Sequence, residues 1–470
     1  MMAENRTQTA IVFALGLLLS LSLTLSAEAA PRAFPGAVGF GAFATGWTGG
    51  EVIPVTTLAD AGAGSLRACV EKGEMPRICV FQVSGTITLD SPLFFRSNLY
   101  VAGQTAPGLG IQIRLGKSRA TAVIIKNASD VVVRYLKVRP GPSQQPSSSV
   151  DAVTLENASR VYLDHLSLMF ATDENFSIHV SGERSSDITV ANSISAWGLD
   201  HANHPKGRHS KGALICSGNG STFECGRVSL WRNLFAHNRD RNPDIYGNDS
   251  GPVEVVNSIF YNPISQFGEF RNYYGNAVII YAGNVALTGP NTVRRRPAAV
   301  EAIMASDQYS LEVQVDDVLA IDRGRCDRNR PFRQVDADPG AEIVEGVTGT
   351  LSVPRIRASE VFDLVLEGVG DRLPSDRHRD PLDRQLVDTV RNCTGRVINS
   401  PSEVGGWPDL QPEERVADSD GDGFPDAWEE ATAGLDASQP NDPWQIATGT
   451  DLTHIELWLA ELAGDRELDD

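Results

Sequence analysis

Apolar residues in the middle of this chain recur in short alternating runs, punctuated by turns rich in Asn, Ser, Asp and Gly. "AVIIKNASDVVVRYLKV" at 122–138 matches "AVTLENASRVYLDHLSL" at 152–168 with a constant offset of 30, which puts Asn127/Asn157, Ser129/Ser159 and Val131/Val161 in equivalent places. Related triplets follow as "ITV" (188–190), "VSL" (228–230), "VEV" (253–255) and "VII" (278–280), so the steps from Val131 are 30, 27, 40, 25 and 25 residues. Short, β-branched, alternating units read as strands. No unit carries the long helical pattern of a βαβ crossover, and the Asn-Gly hairpin signals of a β-sandwich are scarce. Repeats of strand and turn alone predict an all-β solenoid, a parallel β-helix in which each coil stacks on the last.

The 40-residue step marks an insertion, and insertions in a solenoid project on one face, commonly the binding face. This one, "WGLDHANHPKGRHSKGALICSGNGSTFECG", carries His201, His204, His209 and Lys211. After about residue 300 the repeat fades. Residues 361–370 and 380–392 read as short amphipathic helices, and 398–417 as a Pro- and Glu-rich linker. An apolar helix at 452–462 closes the chain. The expected division is therefore a leader at 1–29, a β-helix domain at 30–300, an extension at 301–400, a linker at 401–417 and a tail at 418–470.

The leader is an apolar run from Ile11 to Leu25 followed by "SAEAA", in which Ala27 and Ala29 form a small-x-small cleavage site. It is too short to span a bilayer comfortably, and no later segment is apolar enough to do so. An exported, soluble monomer is expected. Six cysteines, an even number in an exported chain, point to disulfides. Close spacing favours Cys69–Cys79 and Cys216–Cys225, leaving Cys326 with Cys393, among 15 connectivities.

The net charge of −19 argues against a nucleic-acid partner. It also sits awkwardly with a polyanionic substrate, unless positive charge is concentrated locally. Between 200 and 241 it is, with seven Lys and Arg against three acids. That segment holds Lys211 in "HSKGALI" and both Arg239 and Arg241 in "HNRDRNPD".

Residues 34 to about 300 resemble the secreted pectate lyases of the right-handed parallel β-helix type. The resemblance is carried by "VSGTITL", "VAGQTAPGLGI", "VYLDHLSL", "TDEN", "HSKGALI" and "RDRNP". The stretch 361–408 is similar to the segment that follows the helix in bacterial members. The resemblance implies β-elimination on polygalacturonate, with Ca²⁺ as cofactor and the acidic polysaccharide as partner. It implies Asp151 and Asp173 as calcium ligands, helped by Glu174. It makes Lys211 the residue that binds the substrate carboxylate and Arg241 the proton acceptor. Free Arg is far too basic for that task near neutral pH, so the alternatives are a reaction at high pH or an electrostatic clamp. Ser149 and Ser177 stand where the best-known members have further aspartates. The second family arginine is missing, since Asp244 and Tyr246 occupy that stretch, and Arg239 is the candidate to bind substrate in its place. Asp164 and His165 of "LDH" are expected to hold the stack together.

Two other functions stay in view. One is a β-helix that binds acidic polysaccharide without cleaving it. The other is a glycoside hydrolase, which needs paired carboxylates facing one cleft; the Asp316–Asp317 pair lies beyond the clear coils, which counts against it.

The tail contains "DSDGDGFPDAWE", which places Asp418, Asp420, Asp422, Asp426 and Glu429 at positions 1, 3, 5, 9 and 12 of an EF-hand-like loop. Gly423 falls at the sharp turn, and the carbonyl of Phe424 supplies position 7. Five carboxylates this close repel one another without a cation, so a structural calcium site is expected there.

Overall fold

Val131, Val161, Ile188, Val228, Val253 and Ile279 lie side by side in one column of in-register parallel strands. The sequence spacing predicts this column, except that Ile279 rather than Val278 takes the last place. The computed structural model describes residues 30–219, 224–293, 297–374, 376–413 and 415–466. The expected leader at 1–29 lies outside the described residues. From Arg32 onward the chain forms one compact unit.

Each coil runs through three sheets. Val123–Arg134 and Val153–Asp164 each serve two of them, bending between the halves at residues of positive φ (Asn127 and Asp130, then Asn157 and Arg160). Such conformations are uncommon outside Gly, with Asn and Asp enriched, and the stack supplies the partners that fix them. Asn157 Nδ2 donates to Asn127 Oδ1 at 2.9 Å, and Arg160 reaches Asp130 Oδ2 at 2.6 Å. The third sheet runs from Gly85–Leu89 through Ser167–Met169 and Ile194–Ala196 to Leu319–Asp322. Parallel crossovers within one sheet are right-handed, and the fold is a right-handed parallel β-helix. Inward side chains such as Val131, Leu155, Ile178 and Ile215 are fully buried. Each contributes about 1.5–3 kcal/mol relative to exposure.

The stack does not end at 300. Ala298–Ile303, Leu311–Asp316, Arg333–Ala337 and Glu342–Glu345 continue it in parallel register. Strands beyond 300 are more exposed and more charged, which is why the apolar repeat fades in the sequence before the fold does. Ala358–Gly368 and Pro381–Arg391 are the two expected helices. They bury Val361, Val365, Leu386 and Val390 against Ile194, Leu234, Ile259 and Val285 of the third sheet. The segment expected to be a linker is laid along the coils. Trp407 Nε1 donates to Arg139 O at 2.8 Å, and Arg415 Nη2 to Gln82 Oε1 at 2.6 Å.

The tail packs as part of the same body. Phe424, Ile455, Trp458 and Leu459 share a core with Ile78, Val80 and Tyr100 of the early coils. Asp465 pairs with both Nη atoms of the buried Arg134 at 2.6 and 2.9 Å. Cys69–Cys79, Cys216–Cys225 and Cys326–Cys393 are the three disulfides. No helix among the described residues is long and apolar enough to cross a membrane.

Candidate active site

The candidate residues stand at the beginnings of successive strands in one sheet. Asp151 precedes Val153–Asp164, Asp173 precedes Glu174–Ser181, Lys211 opens Lys211–Asn219, and Arg241 precedes Asp244–Tyr246. Register fixes the line: Glu174 lies beside Lys211, and Lys211 bridges to Asp240. Neighbouring strands are about 4.8 Å apart, so the side chains form a ladder along the helix axis. Asp151, Asp173, Glu174 and Arg241 line an open groove of about 640 Å³ whose other walls include Phe94, Lys126, Ser149, Lys206 and His209.

Ligand atoms of Asp151, Asp173 and Glu174 all lie within 4.8 Å of one another. Asp151 is buried and accepts from Thr154 Oγ1 at 2.7 Å, from Ser177 Oγ at 2.5 Å and from the Glu174 amide at 3.2 Å. Ser177 thus answers Asp151 with a donor where a further aspartate would have added charge. Burial, then the charge of Asp173, pushes Asp151 up to about 7. Burial and the two neighbouring acids also drive Glu174 well above the usual carboxylate range, against the pull of Arg241. Burial acts on Asp173 in the same direction, but the hydrogen bond and charge of His209 outweigh it and hold Asp173 low. Three crowded acids with two disfavoured as anions form a site suited to a divalent cation, and an all-oxygen donor set suits Ca²⁺.

Arg241 forms an ion pair with Glu174 through Nη1 and lies 3.7 Å from Asp244 through Nε. Burial alone would make Arg241 less basic; Glu174 and Asp244 reverse that and hold its proton more tightly. Lys211 Nζ is 2.5 Å from Asp240 Oδ1. Arg239 turns away from this line into a two-pronged pair with Asp200, with Nη2 2.8 Å from Oδ2. The second arginine that the sequence lacks locally has a counterpart one coil on. Arg271 approaches the same Asp244 at 3.3 Å and Glu269 at 2.6 Å. It falls 30 residues after Arg241, one coil length in the sequence.

Asp164 and His165 lie elsewhere, on the side facing the tail. Asp164 accepts from Arg134 Nε and Asn192 Nδ2, both at 2.9 Å, and His165 stacks on Tyr135 at 4.7 Å. The Asp316–Asp317 pair serves the fold as well, Asp316 paired with Arg355 and Asp317 accepting from the Ala358 amide at 2.8 Å.

In the tail, ligand atoms of Asp418, Asp420 and Asp422 lie within 4.8 Å of one another. Glu429 is fully buried, and its Oε2 has no hydrogen-bond partner; neither does Asp420 Oδ2. Burial, then Asp422, Asp420 and Asp418, pushes Glu429 up to about 7. Asp426 is turned to Ser419, accepting from its amide and its hydroxyl at 2.7 Å. The ring of Phe424 is buried against Trp428 and Trp458, which fixes its carbonyl in the loop.

No family model matches the chain. It is 33% identical over 451 residues to a protein of Emericella nidulans named "Probable pectate lyase C", covering 95% of this chain and 96% of the relative. A protein of the same name from Aspergillus terreus is 32% identical, over 92% and 94% of the two chains. Both relatives are fungal, so the bacterial kinship expected from the segment at 361–408 finds no support in them. Among solved structures, jun a 1, the major allergen from cedar pollen, superposes with a TM-score of 0.50 over 71% of this chain and 92% of its own, at 17% identity. At that identity the likeness concerns the fold alone.

Proposed function

The chain belongs to the pectate lyase family, and on that premise we propose that it is a secreted enzyme that cleaves polygalacturonate by calcium-assisted β-elimination. The observation that carries the reading is the ladder itself: three acids able to hold a cation, followed along the same sheet by Lys211 and Arg241. Disulfides support an exported chain.

In the reaction a base takes the proton on carbon 5 of the uronate. That electron pair becomes the carbon 4–carbon 5 double bond, and the bond from carbon 4 to the glycosidic oxygen breaks, leaving oxygen to be protonated. The difficulty is the carboxylate next to carbon 5, which must carry more negative charge as the proton departs. Asp151, Asp173 and Glu174 would hold Ca²⁺, which when bound would supply the positive charge that offsets that carboxylate. Lys211 supplies a point charge one strand on, and Arg241 a planar fork suited to carboxylate. With Glu174 and Asp244 both against it, Arg241 is a charge clamp. It can accept a proton only when Glu174 is engaged elsewhere, as it is when the three acids share a cation, and at alkaline pH. Arg271, on the next coil, extends the positive line past Asp244.

Asp418, Asp420, Asp422, the Phe424 carbonyl and Glu429 would hold a second Ca²⁺ in the tail loop, with Asp426 bracing the loop through Ser419. Its two unpartnered buried oxygens, on Glu429 and Asp420, support that reading. This site fastens the tail to the early coils, where Gln82 donates to Asp418 at 2.5 Å. Digestion of polygalacturonate followed by mass analysis tests the proposal. Elimination gives fragments whose non-reducing ends are one water lighter than those of hydrolysis; hydrolytic ends would refute it.

A further inference from the structure

The inserted coil brings two histidines against the acidic cluster. His209 Nε2 lies 2.7 Å from Asp173 Oδ1, and the His204 ring stacks on that of His209 at 3.8 Å and 12°. The loop that carries them is tied down on both sides. Asn203 Nδ2 donates to Ser143 O at 2.6 Å, the Asp200 amide to Ile398 O at 2.8 Å, and the His209 amide to Asp200 O at 2.7 Å. The pair is therefore held in place by backbone on three segments.

A transition metal shared by Asp173, His204 and His209 does not fit this geometry. A metal lies in the plane of each imidazole that binds it, and two nearly parallel rings 3.8 Å apart have no common in-plane point. His204 Nδ1 accepts from the Lys206 amide at 3.2 Å, so its proton sits on Nε2, which faces Asp173 Oδ2 at 3.9 Å. Only His209 is close enough to donate to Asp173; at 3.9 Å His204 makes no hydrogen bond and leaves Oδ2 open.

Asp151 is braced by Thr154 and Ser177, whereas Asp173 is the more exposed acid, its side chain 18% exposed. Carboxylates that bind metals are themselves hydrogen-bonded, and losing that outer partner costs about 10–100-fold in affinity. We propose that His209, steadied by the stacked His204, is a positioning residue that orients Asp173 for calcium, leaving the other carboxylate oxygen for the ion. This rests on the calcium reading of the cluster given above.

The test is calorimetric titration of the full-length protein with Ca²⁺ alone. Asp173→Asn should remove one binding event and leave the tail event. His209→Leu should weaken that same event about 10–100-fold, while His209→Gln, whose amide reaches as far as Nε2, should restore most of it. The tail event, unchanged in every variant, reports that the chain is folded; if His209→Leu fails that check, His209→Asn, whose amide falls short of Asp173, replaces it. Equal or tighter calcium binding in the variant that lacks the donor overturns the proposal. Unchanged binding in Asp173→Asn overturns the calcium reading itself, a separate outcome.

Discussion

Glu174 and Arg241 form an ion pair that reaches across the strand opening at Lys211, joining an acid of the cluster to a guanidinium on the same groove. The pair keeps Arg241 charged in the free protein and places its guanidinium beside the cluster. Its two members are therefore coupled: whatever draws charge from Glu174 changes the basicity of Arg241.

Arg241→Ala should abolish turnover while leaving substrate binding mostly intact. A lost transition-state contact of about 3–5 kcal/mol lowers the rate roughly a hundred- to several-thousand-fold. Arg241→Lys should also fail, because a point charge cannot reproduce the fork that spans Glu174 and Asp244. Arg239→Ala should instead lower stability by about 1–3 kcal/mol, since it leaves the buried Asp200 without its partner, and the folded fraction should turn over normally. Steady-state kinetics beside denaturant unfolding separates the two arginines.

Lys211→Ala should raise KM and lower kcat together, by about tenfold each, for a contact worth about 1.4 kcal/mol in the ground state and about twice that in the transition state. Asp240→Asn, which frees Lys211 from its partner, should affect KM far less. A kcat loss without change in KM would move Lys211 from substrate binding to transition-state contact.

Calcium affinity should rise as pH increases from 6 to 8. Asp151 and Glu429 are each pushed up to about 7, so below that pH each is largely protonated, and an ion must displace the proton to bind. Above it Asp151 and Glu429 are already ionised and their competition ends. Calorimetry in two buffers of different ionisation enthalpy should show more proton release at pH 6.5 than at pH 8.5.

Much of this was legible in the sequence, and the misses share a cause. The column from Val131 to Val253 could be read because inward β-branched residues repeat at coil spacing. The coils after 300 could not, because Glu342–Glu345 and Arg333–Ala337 keep the backbone register while losing the apolar face. The acids, Lys211 and Arg241 were visible through motif resemblance. The bond from His209 to Asp173 was hidden because it joins an insertion to an earlier coil. Arg271 is hidden because it meets Asp244 from the next coil and not from the same stretch of chain. The tail looked detachable; its contact with Ile78 and Val80 depends on residues more than 300 positions apart, which no local pattern reports.

Glu429→Gln should erase most of the stability that calcium confers while leaving turnover within about twofold. Saturating a native-state site at a hundred times its Kd stabilises by about 2.7 kcal/mol, read as a calcium-dependent shift in unfolding. Truncation from Asp418 is a poorer test, because it strips Phe424 and Trp458 from the core and costs about 3–5 kcal/mol for each large side chain removed.

The central claim is elimination assisted by calcium at Asp151, Asp173 and Glu174. Its most direct test is the ultraviolet absorbance of unsaturated uronide during incubation with polygalacturonate, with and without chelator. The account predicts absorbance that climbs with calcium, stops in chelator and resumes when calcium is restored, and that Asp173→Asn largely abolishes. Reducing ends released without absorbance, or absorbance indifferent to chelator, would contradict it.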